Sequence, residues 1–334
     1  MNVLSLFNGM STGHLALDNL GIPVEKYYSS EIKQHAIDLT QKKFPNTIQV
    51  GDITKWEDWD INWSEIDLVL SASPCTDLSA AGKRAGIYGE KSKLFFTFVD
   101  ILHHIQKVNP NVLFFQENVG SASDEDLAVI SNALQIRPVR INSSLVTAQL
   151  RDRYYWSNIK TKRKGLFQEL YTDIPQPKDR KIFLNDILTS GVALRDKSLC
   201  LLSSTQSAAA YADNKSDKCQ KYIKSRSQWY TTIYEKHELK QKHTCLDTTS
   251  GSSRTQEGYK LRNNTTGMIT LINENYDYVR VVNNIEMCRL QGFPDDYCEG
   301  LSDVKAGNLL GDGWTLPIIE HIFSFIKLRE DYNE

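Results

Sequence analysis

At 334 residues, 40% of them hydrophobic, the chain is long enough to bury one large core and a smaller one. Its six cysteines, at 75, 200, 219, 245, 288 and 298, form no CxxC pair and no cluster with histidine, which argues against a zinc site or a disulfide framework and fits a reducing, intracellular setting, the cytoplasm or nucleoid of a bacterium or a nucleus. Net charge is −2, but residues 151–270 hold 22 Lys and Arg against 12 Asp and Glu (+10), leaving 17 against 29 (−12) elsewhere, the imbalance that either a polyanion-binding face or a solvated basic surface produces. No basic leader with a cleavage site opens the sequence and no apolar run reaches the roughly 18–20 residues of a membrane span, so neither secretion nor membrane insertion is expected.

In chain order, β-rich apolar runs at 3–7, 25–30, 47–50, 67–71 and 111–116 alternate with helical patterns at 13–20, 31–43, 92–108 and 124–135. This alternation predicts an α/β fold with a doubly wound, mostly parallel sheet and ligands at the carboxyl ends of its strands. After about residue 160 turn-rich polar sequence dominates, and helical spacing returns at 286–293 and 316–326. The expected organisation is a catalytic domain over 1–160, an inserted smaller domain over 161–275 and a return segment over 276–334 that completes the first.

Several strand ends carry chemistry. The first strand runs into NGMSTG at 8–13, a glycine turn that lets a ligand approach the backbone. Glu31 closes the second strand, where a carboxylate can accept from ribose hydroxyls, and Asp52 follows the third, placed to meet an adenine amino group. Together they suggest an adenosine-containing ligand. Either acid could instead cap a helix. The fourth strand leads into SASPCTDLSAAG, which puts Pro74 and Cys75 on the ligand-edge loop, where a cysteine is set up as a nucleophile and not as core filling. The fifth ends at Glu117-Asn118-Val119, a carboxylate beside Phe114 and Phe115 with reason to exchange a proton. Finally TAQLRDRYYWSN at 147–158 alternates like a strand, with Gln149, Arg151 and Arg153 on one face; two neighbouring arginines need an anionic or carbonyl partner.

Together SLFNGMSTG at 5–13, PCTDLS at 74–79, ENV at 117–119, QLRDR at 149–153 and RLQGFPDDY at 289–297 resemble the DNA cytosine-5 methyltransferase family, in order and over nearly the whole chain. NLLGDGWTLPIIEHIF at 308–323 is similar to the de novo-type subgroup, which bacteriophage or bacterial members share. The resemblance implies a class I S-adenosylmethionine-dependent methyltransferase fold, with the inserted domain recognising the target. S-adenosylmethionine would lie against Phe7, Asn8, Gly9, Thr12, Gly13 and Pro74, with Glu31 on the ribose, Asp52 and Ile53 at the adenine, and Trp314 closing the site. Cys75 would attack carbon 6 of a flipped-out cytosine in double-stranded DNA, Glu117 would meet ring nitrogen 3, and Arg151 or Arg153 would hold the carbonyl oxygen and a neighbouring phosphate. No metal is implied, and side-by-side association of two copies is compatible with the subgroup.

Two departures stand out. Many relatives have Asp where this chain has Asn8, so Asn8→Asp is expected to tighten cofactor binding. The subgroup's guanine-reading Arg after a Thr pair is here Ser250, so a CpG preference is not carried over; Thr248, Ser250, Arg254, Lys260 and Arg262, with Ser79 and Asn118, are the candidate DNA contacts. An RNA-directed relative would carry a Cys-Phe-Thr signature after the ENV segment, which is absent, and an inactive DNA-binding module would be expected to lack Cys75 or Glu117.

Overall fold

β1 (Asn2–Leu6) is apolar except at Asn2 and Ser5 and is buried along its length, as a strand covered on both faces must be. The computed structural model describes residues 1–74, 93–190, 193, 196–198, 200–201, 233–236, 260–263, 267–270, 277–280 and 282–327, the four short segments between 233 and 280 by their backbone alone. The chain divides into two units, one of Met1–Val146, Arg151–Arg180 and Gly313–Glu334, the other of Thr147–Leu150 and Lys181–Asp312.

In the first unit β2 (Lys26–Ser30), β3 (Ile48–Gln49), β4 (Ile66–Ser71), β5 (Leu113–Val119), β6 (Val139–Asn142) and β7 (Asp152–Ser157) join β1 in a seven-stranded sheet of order β3-β2-β1-β4-β5-β7-β6. The strands from β3 to β5 are parallel; β7 runs antiparallel to both β5 and β6. Chain order departs from β1 in both directions, so the switch point lies between β1 and β4, where such sheets bind ligands. The helices of this unit are α1 (Thr12–Asn19), α2 (Gln34–Lys43), α3 (Leu94–Val108), α4 (Asp124–Leu134) and, last in the chain, α8 (Leu316–Phe323); the other unit holds α5 (Leu184–Ile187), α6 (Asn284–Gln291) and α7 (Asp303–Asp312).

Strand alternation sorts the core onto two faces. Val69, Phe114 and Trp156 meet Phe95, Phe98 and Ile105 of α3 and Ile130 and Leu134 of α4, with Trp156 Nε1 donating to Ser131 Oγ at 3.0 Å. On the opposite face Leu70 lies under α1, and the Phe115 ring packs edge-on against Phe323 and Trp314, centroids 5.6 and 4.9 Å apart. The α4 start is fixed locally: Ser123 Oγ accepts from Asp126 N at 3.1 Å, and three acids occupy the first turn, where the helix dipole favours them.

In the second unit the RLQGFPDD segment is a helix end. Asn283 and Glu286 form a capping box on α6, Gly292 takes the left-handed conformation (φ 76°) that stops it, and Arg289 pairs with Asp295 at 2.6 Å. Short antiparallel pairs complete the description: β8 (Thr161–Lys164) with β9 (Glu169–Thr172) in the first unit, β10 (Ile233–Lys236) with β13 (Asp277–Arg280) and β11 (Lys260–Asn263) with β12 (Gly267–Thr270) in the second.

One local expectation changes. The strand expected over 147–158 begins only at Asp152: Gln149 belongs to the second unit, where it bridges to Ser198 and donates from Nε2 to Leu290 O at 3.1 Å, so Gln149 does not continue the Arg151–Arg153 face. The first unit runs on to Arg180, where Arg137 N donates to Leu170 O (2.8 Å) and Arg137 O accepts from Thr172 N (2.9 Å), fastening the β8–β9 hairpin. Helix α6, on the helical spacing at 286–293, and helix α7 belong to the second unit, and Gly313–Glu334 belong to the first. Among the described residues no helix is long and apolar enough to cross a membrane.

Candidate active site

The turn from β1 into α1 is conformationally costly. Phe7 (φ 57°), Gly9 (φ 57°) and Ser11 (φ 59°) are all left-handed, and for the two with side chains that costs about 1–2 kcal/mol each. A buried polar network compensates. Asn8 Nδ2 donates to Ser11 Oγ (2.7 Å) and Thr40 Oγ1 (3.3 Å), Tyr27 OH donates to Asn8 Oδ1 (3.2 Å), and the Ser11 and Thr40 hydroxyls lie 2.7 Å apart. Burial pushes the Tyr27 hydroxyl far above its ordinary range, so it stays a donor. From β2, Glu31 Oε2 accepts from Gly9 N at 2.8 Å while its Oε1 accepts from Ile32 N (2.8 Å) and Lys33 N (2.9 Å). Glu31 is therefore a helix-start acceptor and a strut for the glycine turn at once.

This geometry changes the expectation for Asn8. A carboxylate there loses the Nδ2 donor and must be satisfied by hydroxyls alone, at a position only 9% exposed. Asn8→Asp is expected to destabilise the ligand-free protein by about 1–3 kcal/mol, a fall in Tm of several degrees by calorimetry. An unchanged Tm together with tighter cofactor binding would restore the charge-pair expectation.

Asp52 caps a short 3-10 turn, Oδ1 accepting from Thr54 N and Thr54 Oγ1 at 2.9 Å each; its side chain is exposed and Ile53 beside it is buried. Gly13 is required for packing: a Cβ would sit 2.4 Å from Leu70 Cδ1, 3.3 Å from Tyr27 OH and 3.5 Å from Trp314 Cζ3. The first turn of α1 thus presses on β4 beside Trp314, whose buried Nε1 has no hydrogen-bond partner among the described residues.

At the other end of the edge, β5 and β7 bring an acid and a base together. Their register pairs Glu117 with Tyr155 and Val119 with Arg153, so Glu117 and Arg153 are diagonal neighbours on one face, within reach of long side chains. Arg153 Nε lies 2.8 Å from Glu117 Oε1, the side chains 12% and 10% exposed. The same face carries Tyr155, whose hydroxyl is pushed far up by burial and then by the Glu117 carboxylate. Arg151 goes elsewhere: 3% exposed, it donates from Nη2 to Gly313 O at 2.8 Å. Asn118 turns its Oδ1 to Val119 N (2.8 Å) and leaves Nδ2 buried without a partner among the described residues. Ser73, just before Pro74, accepts from Gln116 Nε2 at 3.1 Å, which ties the residues directly after β4 to β5.

Cys75, Ser79, Thr248, Ser250 and Arg254 lie outside the described residues. Lys260 and Arg262 stand on β11, opposite Thr270 and Met268. Sequence reasoning missed Tyr27 and Thr40, whose hydroxyls complete the glycine-turn network, and Gly120, which lets β7 approach; only the glycine, directly after a motif, carries a visible signal.

The family model for C-5 cytosine-specific DNA methylase matches residues 1–328. The chain belongs to that family. It is 26% identical over 330 residues to the type II methyltransferase M1.ScrFI of Lactococcus lactis subsp. cremoris, covering 96% of this chain and 76% of that protein. It is also 30% identical over 176 residues to the orphan methyltransferase M.SPRI of Bacillus phage SPR (48% of this chain, 38% of that protein). With the type II methyltransferase M.NgoBV of Neisseria gonorrhoeae it shares 34% over 103 residues, 30% of this chain and 24% of that protein. Among these, the two more identical matches span under two fifths of the relatives' own length. Solved methyltransferase structures share the fold of this family member: EhMeth of Entamoeba histolytica at 14% identity (TM-score 0.60, 100% of this chain, 99% of that one) and a Spodoptera frugiperda DNMT2 mutant at 16% (TM-score 0.54, 97% and 99%).

Proposed function

We propose that this chain methylates carbon 5 of cytosine in duplex DNA, with S-adenosylmethionine as donor and Cys75 as nucleophile. The observation that carries the reading is the buried Glu117–Arg153 pair at the carboxyl edge of the sheet, a carboxyl group and a guanidinium fixed side by side in a family whose chemistry needs both. The residues present fit the donor: the left-handed turn at Phe7–Ser11 leaves open space at Gly9, where a Cβ would meet nothing nearer than Phe7 O at 3.9 Å. Trp314 Nε1 is also buried without a partner among the described residues. Phe7, Gly9, Thr12 and Gly13, with Glu31, Asp52, Ile53 and Trp314, would hold the molecule. When bound it supplies an electrophilic methyl group to carbon 5.

Carbon 5 of cytosine is too weak a nucleophile to react unaided. Addition of the Cys75 thiolate to carbon 6 breaks the 5,6 double bond and makes carbon 5 enamine-like. Glu117 hydrogen-bonds ring nitrogen 3 as charge develops, and Arg153, held by that carboxylate, presents its guanidinium to the carbonyl oxygen and a flanking phosphate. Loss of the carbon-5 proton and expulsion of Cys75 restore the ring. Because the reacting atoms are stacked inside a duplex, the cytosine must be flipped out.

Tritiated S-adenosylmethionine with mixed-sequence duplex DNA tests this, with products mapped by bisulfite sequencing. Label is expected at carbon 5 of cytosine for the parent chain and none for Cys75→Ser. Label on RNA alone would make the substrate RNA, and no label with DNA binding retained would make the chain a binding module.

A further inference from the structure

Trp314 is held from both sides by groups drawn from a single stretch of chain, the β6–β7 connection. On one side Arg151 Nη2 donates to Gly313 O at 2.8 Å. On the other, Ser143 Oγ donates to Thr315 Oγ1 at 2.8 Å. The two tethers are themselves joined: Ser143 N donates to Arg151 O (2.8 Å), and Arg151 N donates to Asn142 Oδ1 (3.2 Å). Ser143, Arg151 and Thr315 are 0%, 3% and 1% exposed, so these contacts are made out of water, where an unmade one is costly.

Thr315 occupies the N-cap of α8, where a threonine hydroxyl ordinarily accepts from its own helix. Here it makes no such cap and turns to Ser143 instead. The helix forgoes its cap, and what is gained is a fixed Trp314, its ring wedged edge-on against Phe115 and 3.5 Å from the position a Cβ on Gly13 would take.

We propose that Arg151, Ser143 and Thr315 are positioning residues for the methyl donor, clamping Trp314 as the rigid wall of its pocket, and that the two arginines of the QLRDR segment divide the labour, Arg153 serving the base and Arg151 the cofactor. This rests on the reading that S-adenosylmethionine lies against Gly13 and Trp314. Ser143 lies outside the segments that pointed to the family, and a base-binding role for Arg151 is replaced by a role acting through Trp314.

The test uses the full chain and S-adenosylhomocysteine binding by calorimetry, without DNA, followed by initial-rate KM values for S-adenosylmethionine and for duplex DNA. Ser143→Ala and Thr315→Val are expected to weaken S-adenosylhomocysteine binding about five- to tenfold each, the loss of one buried hydrogen bond. They should raise KM for the donor in proportion while KM for DNA stays within about twofold. Thr315→Ser keeps the hydroxyl and is expected to bind like the parent, and Arg151→Lys to fall between. Thermal melting confirms folding, and Thr315→Ser and Ser143→Ala are mild enough to survive if Arg151 variants are not. Ser143→Ala and Thr315→Val proteins that bind S-adenosylhomocysteine like the parent, or that raise both KM values equally, overturn the clamp alone. A parent chain that binds no S-adenosylhomocysteine overturns the functional reading and the clamp with it.

Discussion

Glu117→Gln is expected to lower the rate of methyl transfer by about 10²–10³-fold with the protein still folded. The amide keeps the shape and one acceptor, so Arg153, which lies 2.8 Å from the carboxylate, retains a polar neighbour. On the proposed mechanism, what disappears is the group that meets ring nitrogen 3, and with it the anion beside the Arg153 guanidinium. The reverse change is harsher on the fold: Arg153→Ala strands a carboxylate that is 8% exposed, which costs about 3–5 kcal/mol for a buried pair broken on one side. Comparing kcat and Tm for the two variants separates the contributions. A Glu117→Gln protein with parental kcat would remove the carboxylate from the mechanism.

Gly120→Ala is the second large effect. Gly120 N donates to Asp152 O at 3.0 Å, and a Cβ on residue 120 would fall 2.8 Å from that oxygen and 2.9 Å from its carbon. The obstacle is backbone, which cannot swing aside, so β5 and β7 must part where Asp152 separates the two arginines. A loss of about 1–3 kcal/mol in stability is expected from overpacking. The drop in kcat should exceed what that loss explains, because displacement of about 1 Å between reacting groups alone can cost of order 10²-fold. A lowered Tm with unchanged kcat at a temperature where the variant is folded would mean that the two strand ends shift as one body.

The parallel half of the sheet was legible because its strands are covered on both faces and so read as apolar runs, VLSLF and DLVLS among them, with amphipathic helices between. The ends singled out in sequence are strand ends in the structure for the same reason, Glu31 directly after β2 and Glu117 within β5. β6 was not: four residues, Val139–Asn142, alternate burial too briefly to stand out. The 147–158 run misled because its alternation is real in sequence, whereas Gln149 is claimed by Ser198 and Leu290, partners far along the chain that no local pattern contains. Glu31 and Asp52 both make the capping contacts that spacing left as one alternative: Glu31 accepts three backbone N–H groups and Asp52 accepts from Thr54 N and Oγ1. The separate fates of Arg151 and Arg153 depend on Gly313 and Glu117, which lie 162 and 36 residues away along the chain, beyond the reach of spacing.

The antiparallel insertion of β7 between β5 and β6 has a consequence for how this chain can change length. Glu117 and Arg153 meet only because Val119 faces Arg153 and Glu117 faces Tyr155. One residue gained or lost within 152–157 would turn the arginine to the sheet's other side and leave the acid without its cation, although the composition of the strand would hardly change. The segment from 121 to 138 carries a helical phase of its own, because Ile130 and Leu134 of α4 pack on the core and Ser131 Oγ accepts from Trp156 Nε1. The six residues of β7 are a fixed word in which only substitution is allowed.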